Sequence, residues 1–267
     1  MPLTRSVATI VCVLACAGVG CVGQPTAAPL DSFSVPETAP LTIAAGKRHA
    51  CAIRHDRKVV CWGSNRARQL GHDAMPAANA PMVVPGISGA RSLTAGDRHT
   101  CALLDGGVVK CFGGRFRLTH TIETEARAVA LDSGGNRTCA VMEGGLVMCW
   151  RHDLQRISPQ LVGGVRDAVA VAVATKHSCA LTAAGRLSCW GSNSMGQLGD
   201  GSQLYQPHPN PLHHPARFIH VAAEASRTCA VEASGDVYCW GEKPPLHSQT
   251  EMGTPEAIPT LIRGAKP

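Results

Sequence analysis

Five times along the chain a pair of cysteines ten positions apart brackets a short turn, and this repetition restricts the fold more than any other feature. The units read RHACAIRHDRKVVCWGSN (48–65), RHTCALLDGGVVKCFGGR (98–115), NRTCAVMEGGLVMCWRHD (136–153), KHSCALTAAGRLSCWGSN (176–193) and SRTCAVEASGDVYCWGEK (226–243). Each contains Cys-Ala, an aliphatic residue, a turn, then Cys followed by Trp or Phe. First cysteines of successive pairs lie 50, 38, 40 and 50 residues apart. Self-similarity at that period is the mark of a propeller or a solenoid.

The spacing also fixes the geometry of a unit. If Cys179 faces Cys189, Thr182 falls opposite Arg186, and Ala183, Ala184 and Gly185 remain as a three-residue hairpin loop. Glycine in the third loop position supplies the left-handed backbone such a loop needs. Gly107, Gly145 and Gly235 repeat it, whereas the first unit has Arg57 there, so that turn is expected to differ or to be strained. Alternation along the strands then places Cys179, Leu181, Leu187 and Cys189 on one face. Directly opposed residues approach closely enough for a disulfide, and each closed loop of this size contributes about 2–3 kcal/mol.

Five hairpin disulfides are therefore expected: Cys51–Cys61, Cys101–Cys111, Cys139–Cys149, Cys179–Cys189 and Cys229–Cys239. Structural zinc favours C-x2-C pairs and redox catalysis C-x-x-C, and neither spacing occurs in any unit. Of 13 cysteines, ten lie in the repeats and Cys12, Cys16 and Cys21 remain. Those three fall in MPLTRSVATIVCVLACAGVGC, where Arg5 precedes an apolar run and small residues. This reads as a signal peptide over 1–20, and Ala17–Val19–Gly20 before Cys21 resembles a lipobox with Gly18 in place of the usual Leu. Cys21 is the expected lipidation site and would anchor the chain to a membrane. Residues 21–40, with four prolines, read as a tether, and 41–267 as the folded body. Export to an oxidising cell envelope, anchored or secreted, agrees with disulfide use.

Composition supports short strands: 45% hydrophobic, 4% aromatic, 28 glycines and 18 prolines. The formal charge of +6 contains no Lys/Arg run, so no nucleic-acid footprint is visible along the sequence.

The fourth unit, from Ala174–Thr175–Lys176–His177 through Trp190–Gly191–Ser192–Asn193 to Gly196–Gln197–Leu198–Gly199, resembles the regulator of chromosome condensation (RCC1-like) repeat family. WGSNSMGQLG is close to that family's repeat motif, WGSNRARQLG (62–71) keeps much of it, and the third unit has lost it, reading WRHD. The resemblance runs over roughly 41–267 and implies an all-β, β-propeller fold, typically of seven blades. Exported bacterial relatives, among them a secreted β-lactamase-inhibiting propeller, imply a protein-binding scaffold. Five evident repeats are fewer than seven. Segments 81–87, 160–165 and 259–264 read as extra strands, each of the first two before the next unit. The first hairpin has a poor strand before it, so N- and C-terminal strands are expected to share a blade and close a five-bladed ring. An open arc and a seven-bladed ring with degenerate blades are the other arrangements. Ala52, Ala102, Ala140, Ala180 and Ala230 mark close approach between blades, with Trp62, Phe112, Trp150, Trp190 and Trp240 as packing wedges.

His49, His99 and His177 precede the first cysteine by two positions, where other units have Arg137 and Arg227. A ligand set that exchanges His for Arg is a poor metal site, so these read as structural hydrogen-bonding groups, and no metal or other cofactor is expected. No hydrolase, zincin, Walker or dinucleotide-binding motif is visible, so the expectation is not an enzyme. The reading is a non-enzymatic, exported, monomeric propeller that binds another protein and no nucleic acid. Its candidate contacts lie in an irregular insertion after the fourth unit: Tyr205, Asn210, His213, His214 and Arg217. The alternatives are the nucleotide-exchange and chromatin role of the family's namesake and a propeller acting on cell-wall polysaccharide.

Overall fold

The computed structural model describes residues 42–73, 75–114, 119–152, 157–242 and 255–262. The expected signal peptide, Cys21 and the tether lie outside these residues. Five four-stranded antiparallel sheets are each built from consecutive strands. Blade 1 comprises β1 (Ile43–Ala45), β2 (His49–Ile53), β3 (Val59–Ser64) and β4 (Ala77–Val83). Blade 2 comprises β5 (Ala90–Ala95), β6 (His99–Leu104), β7 (Val109–Gly113) and β8 (His120–Ile122). Blade 3 comprises β9 (Ala128–Gly134), β10 (Arg137–Met142), β11 (Val147–Arg151) and β12 (Gln160–Leu161). Blade 4 comprises β13 (Ala168–Val173), β14 (His177–Thr182), β15 (Leu187–Gly191) and β16 (Gln206–Pro211). Blade 5 comprises β17 (Phe218–Glu224), β18 (Arg227–Glu232), β19 (Val237–Gly241) and β20 (Glu256–Leu261). First strands of successive blades pack on one another, which places them nearest the axis.

Every hairpin has the register expected from its cysteines. Cys179 faces Cys189, Thr182 N donates to Arg186 O at 2.9 Å, and Gly185 has φ +73°. All five disulfides form, with α-carbons 4.1 Å apart. Arg57 adopts φ +59°, a conformation disfavoured with a Cβ. Its guanidinium holds the strained turn by donating to Gly89 O at 3.2 Å and to Asp105 at 2.7 Å.

Three sequence expectations are corrected. The segments near 81–87 and 160–165 do not begin the next unit, and 259–264 lies within the fifth blade. Their strands β4, β12 and β20 are the outer strands of the preceding blades, pairing with β3, β11 and β19. The supposed insertion after the fourth unit is likewise β16, the outer strand of blade 4. Proline explains this placement. In QPHPNPL (206–212) the prolines fall at every second position, and Leu212 N, in the other phase, donates inward to Leu187 O at 2.9 Å. The three missing N–H groups therefore fall on the unpaired edge, where a strand tolerates them and resists further pairing. Nor is a blade shared between the chain's ends, since β1 belongs to the first sheet and β20 to the fifth.

The core is divided among the junctions. At each, the cysteine face of one blade meets the alanine and aromatic face of the next. Cys51, Ile53, Val59 and Cys61 pack on Ala102 and Phe112, and Cys179, Leu181, Leu187 and Cys189 pack on Ala230 and Trp240. Blades 2 and 3 and blades 3 and 4 repeat the pattern around Trp150 and Trp190. The aromatic wedges of blades 2 to 5 are buried as expected, but Trp62 is half-exposed. Among the described residues no corresponding core joins blade 5 to blade 1.

Candidate functional site

The turn between the first and second strands of each blade opens onto one end of the propeller, and the hairpin loops onto the other. In each turn the residue two or three before the cysteine is cationic: Arg48, Arg98, Arg137, Lys176 and Arg227. Where that cation is three before, the next residue is a histidine that turns inward. His49 Nε2 meets Thr100 Oγ1 of the next blade at 2.8 Å, His99 meets Thr138 at 3.0 Å, and His177 meets Thr228 at 2.8 Å. Thr100 and Thr228 give their single hydroxyl proton to the carbonyls of Gln69 and Gln197 at 3.2 and 2.8 Å. Their histidines must then donate, which fixes the neutral Nε2–H tautomer. These histidines are thus structural hydrogen-bonding groups, and the partner of each is a strand hydroxyl of the next blade.

Burial of these rings disfavours the imidazolium and pushes His49 down to about 4, His99 to about 3 and His177 to about 4. The folded-state values lie below the ordinary value of 6.5, so the unfolded chain gains protons first as the solution is acidified. The stabilisation these rings give is complete above about pH 6.5 and is lost between there and about pH 4 for His49 and His177, and about pH 3 for His99. Thermal unfolding is expected to show a His177→Gln deficit that is largest at pH 7.5 and shrinks on going to pH 5. A deficit independent of pH would remove the neutral-histidine assignment.

With the histidines drawn inward, the exposed cations beside them line a cleft of about 750 Å³ spanning blades 2 to 4. Its walls carry Arg98, Arg137, Arg151 and Lys176 against one carboxylate, Asp97, with Tyr205 at one side. A second depression of about 350 Å³ shares Asp97 and Arg98 and adds Lys47, Arg48 and Arg66. Among the described lining residues, seven cations and one carboxylate form a continuous surface. Ion pairs occur at both ends: at the hairpin end Arg54 and Lys58 pair with Asp56 and Arg57 and Arg91 pair with Asp105, and at the turn end Arg68 pairs with Asp73. The turn end gathers most of its described charged lining residues as cations over concave walls, which favours positive potential there. The sequence shows no basic run because the cations of this surface come from turns 38 to 50 residues apart.

The five candidate contacts do not form one site. Tyr205 is 68% exposed and borders the cationic cleft. Asn210 Nδ2 donates to Asp200 at 2.9 Å and ties β16 to its approaching loop. His213, His214 and Arg217 lie past the other end of β16, where Arg217 donates to Ala184 O of a hairpin loop at 2.9 Å. His214 packs there against Phe218 and Tyr238. Among the described residues one group brings metal-ligating atoms together: His99, Cys101 and His152. Cys101 is bonded to Cys111, the two rings stack at 3.6 Å, and both Nε2 atoms bond Thr138 at 3.0 and 2.9 Å. That set closes a polar core and does not suit a cation.

The regulator of chromosome condensation (RCC1) repeat is matched by two family descriptions, at residues 42–69 and 168–197 and at 58–103 and 184–231. No curated protein sequence is significantly similar. Human WBSCR16 superposes with a TM-score of 0.70 at 19% identity, covering 85% of this chain and 67% of that one. Prp20p of Saccharomyces cerevisiae, crystallised in a study of its binding to Gsp1p and histones, gives 0.68 at 21% identity, covering 83% and 65%. The ectodomain of the Arabidopsis thaliana receptor kinase ACR4 gives 0.53 at 22% identity, covering 78% and 71%. The chain thus spans about two thirds of the length of WBSCR16 and Prp20p. The chain thus carries RCC1 repeats over residues 42–103 and 168–231, and its blades have the fold of RCC1-type β-propellers.

Proposed function

We propose that this chain is a non-enzymatic, exported protein-binding propeller, lipid-anchored through Cys21, whose cationic end receives an acidic stretch of its partner. The observation that supports it is the continuous surface across blades 1 to 4 whose described lining residues include seven cations and one carboxylate. Its concave form suits an extended acidic segment, and Tyr205 at its edge offers an exposed aromatic contact. Relatives in fold bind proteins, as the study of Prp20p with Gsp1p and histones illustrates. Five disulfides support an oxidising compartment, away from the nucleotide-exchange or chromatin setting.

Fluorescent poly-L-glutamate tests the assignment. Binding is expected to weaken steeply with salt, and Arg98→Glu with Lys176→Glu is expected to weaken it roughly tenfold or more. Arg186→Glu with Arg217→Glu makes the same change in net charge at the hairpin end and should leave affinity within about twofold. Equal losses from both pairs would reduce the effect to net charge and sink the site. Tighter binding of duplex DNA than of the acidic polypeptide, with the same residue dependence, would replace the partner class.

A further inference from the structure

The four junctions inside the propeller join the cysteine face of one blade to the alanine and aromatic face of the next, so among the described residues the series ends with one unmatched half on each side. Blade 5 presents the first half and blade 1 the second. Ile262 N donates to Val237 O, as Val84 N does to Val59 O, Val162 N to Val147 O and Leu212 N to Leu187 O. Val84 and Leu212 are 1% and 5% exposed beneath the following blade, whereas Ile262 is 44% exposed. Val231 and Val237 beside it are half-exposed, where Leu181 and Leu187 are buried at 2% and 1%.

Blade 1 mirrors this. Ile43 pairs with Ala52 as Val171 pairs with Ala180 and Val221 with Ala230. Val171 and Val221 are 8% and 5% exposed against the preceding blade, and Ile43 is 67% exposed. Trp62 is half-exposed where Trp240 is 1% exposed. Two apolar faces of this kind on a propeller are an interaction signal, since contiguous exposed apolar surface marks association.

We propose that the occupant of each end face is a second copy of this chain, with Ile262, Val231 and Val237 of one copy seated on Ile43, Ala52 and Trp62 of the next. The two faces have the side-chain chemistry of the two halves already packed together at four junctions within the molecule. Blade 5 places Arg227 toward Ala50 of the next copy, and the junction of blades 3 and 4 already sets an arginine, Arg137, in register with a small residue, Ser178, in place of a His–Thr pair. The contact is heterologous, head to tail, so it builds concentration-dependent chains of copies. It leaves the cationic ends of both copies open and is independent of the partner proposed above.

Sedimentation of the disulfide-intact full chain tests this. The weight-average mass is expected to rise above the monomer by roughly 100 μM, where a micromolar interface is filled. Ile43→Glu and Ile262→Glu each destroy one face at an exposed position, so each variant alone should be monomeric with unchanged unfolding temperature. Mixed in equal amounts they retain one intact face each, and a discrete 1:1 dimer is expected. A monomeric wild-type chain at that concentration, assembly untouched by either substitution, or a mixture that stays monomeric would each overturn the proposal. The first of these with Trp62 shielded from quencher would show instead that the faces meet within one molecule.

Discussion

Trp240→Ala is expected to lower the unfolding temperature by on the order of 10 °C, and Trp62→Ala by far less, although both residues occupy the same repeat position. Trp240 is 1% exposed and lies within the core that joins blades 4 and 5. Removing it costs about 3–5 kcal/mol for lost transfer energy and the cavity left behind. In a chain of this size each kilocalorie corresponds to about 2–4 °C. Trp62 belongs to an open end face, and its loss is closer to about 1 kcal/mol, as for a partly exposed position. Calorimetry at dilute protein, where no second copy covers blade 1, makes the comparison. Equal losses would mean that the first blade is covered like the rest.

Complete reduction is expected to be the second large effect, and it should proceed in a defined order. Each hairpin bridge contributes about 2–3 kcal/mol by restricting the unfolded chain, though five such contributions do not simply add. Access governs the order, because exchange needs an attacking thiolate to reach a sulfur. Cys229 and Cys239 are both half-buried on the open face of blade 5, whereas every other bridge has at least one cysteine at 0% exposure. Under dilute reductant, alkylation followed by mass spectrometry should label these two first. Simultaneous labelling of all ten repeat cysteines would indicate global unfolding before reduction, contrary to a half-exposed fifth bridge.

The hairpins were legible because three signals coincide at each of them: cysteine spacing, a glycine in the third loop position, and alternation on both strands. Arg57 was the visible exception, and its positive φ and compensating hydrogen bonds are what the absent glycine requires. The outer strands were harder. QPHPNP reads as a proline-rich loop until the alternate phase of its prolines is set against the phase of its donors. The first strands, which pack closely near the axis, share no motif, reading AVAVAV at β13 and FIHVAAE at β17. No cysteine announces them.

The candidate site was legible only in fragments. Tyr205 was found for its loop, but the cations around it lie one or two per blade and gain a common face only through the fold. Counting charge runs cannot detect a surface assembled at the repeat period. Recording which charge recurs beside the first cysteine of each unit would have found Arg48, Arg98, Arg137, Lys176 and Arg227. The end faces escaped for a related reason: Ile43 and Ile262 look like ordinary strand residues until their buried counterparts in the other blades are known.

Hydrogen exchange of the full chain with and without poly-L-glutamate tests the functional account most directly, because it reports which end of the propeller is occupied. Protection is expected in the turns containing Arg98, Arg137 and Lys176 and beside Arg151, with the hairpin loops around Arg57 and Ala184 unchanged. Protection confined to the hairpin loops, or spread evenly over both ends, would contradict it.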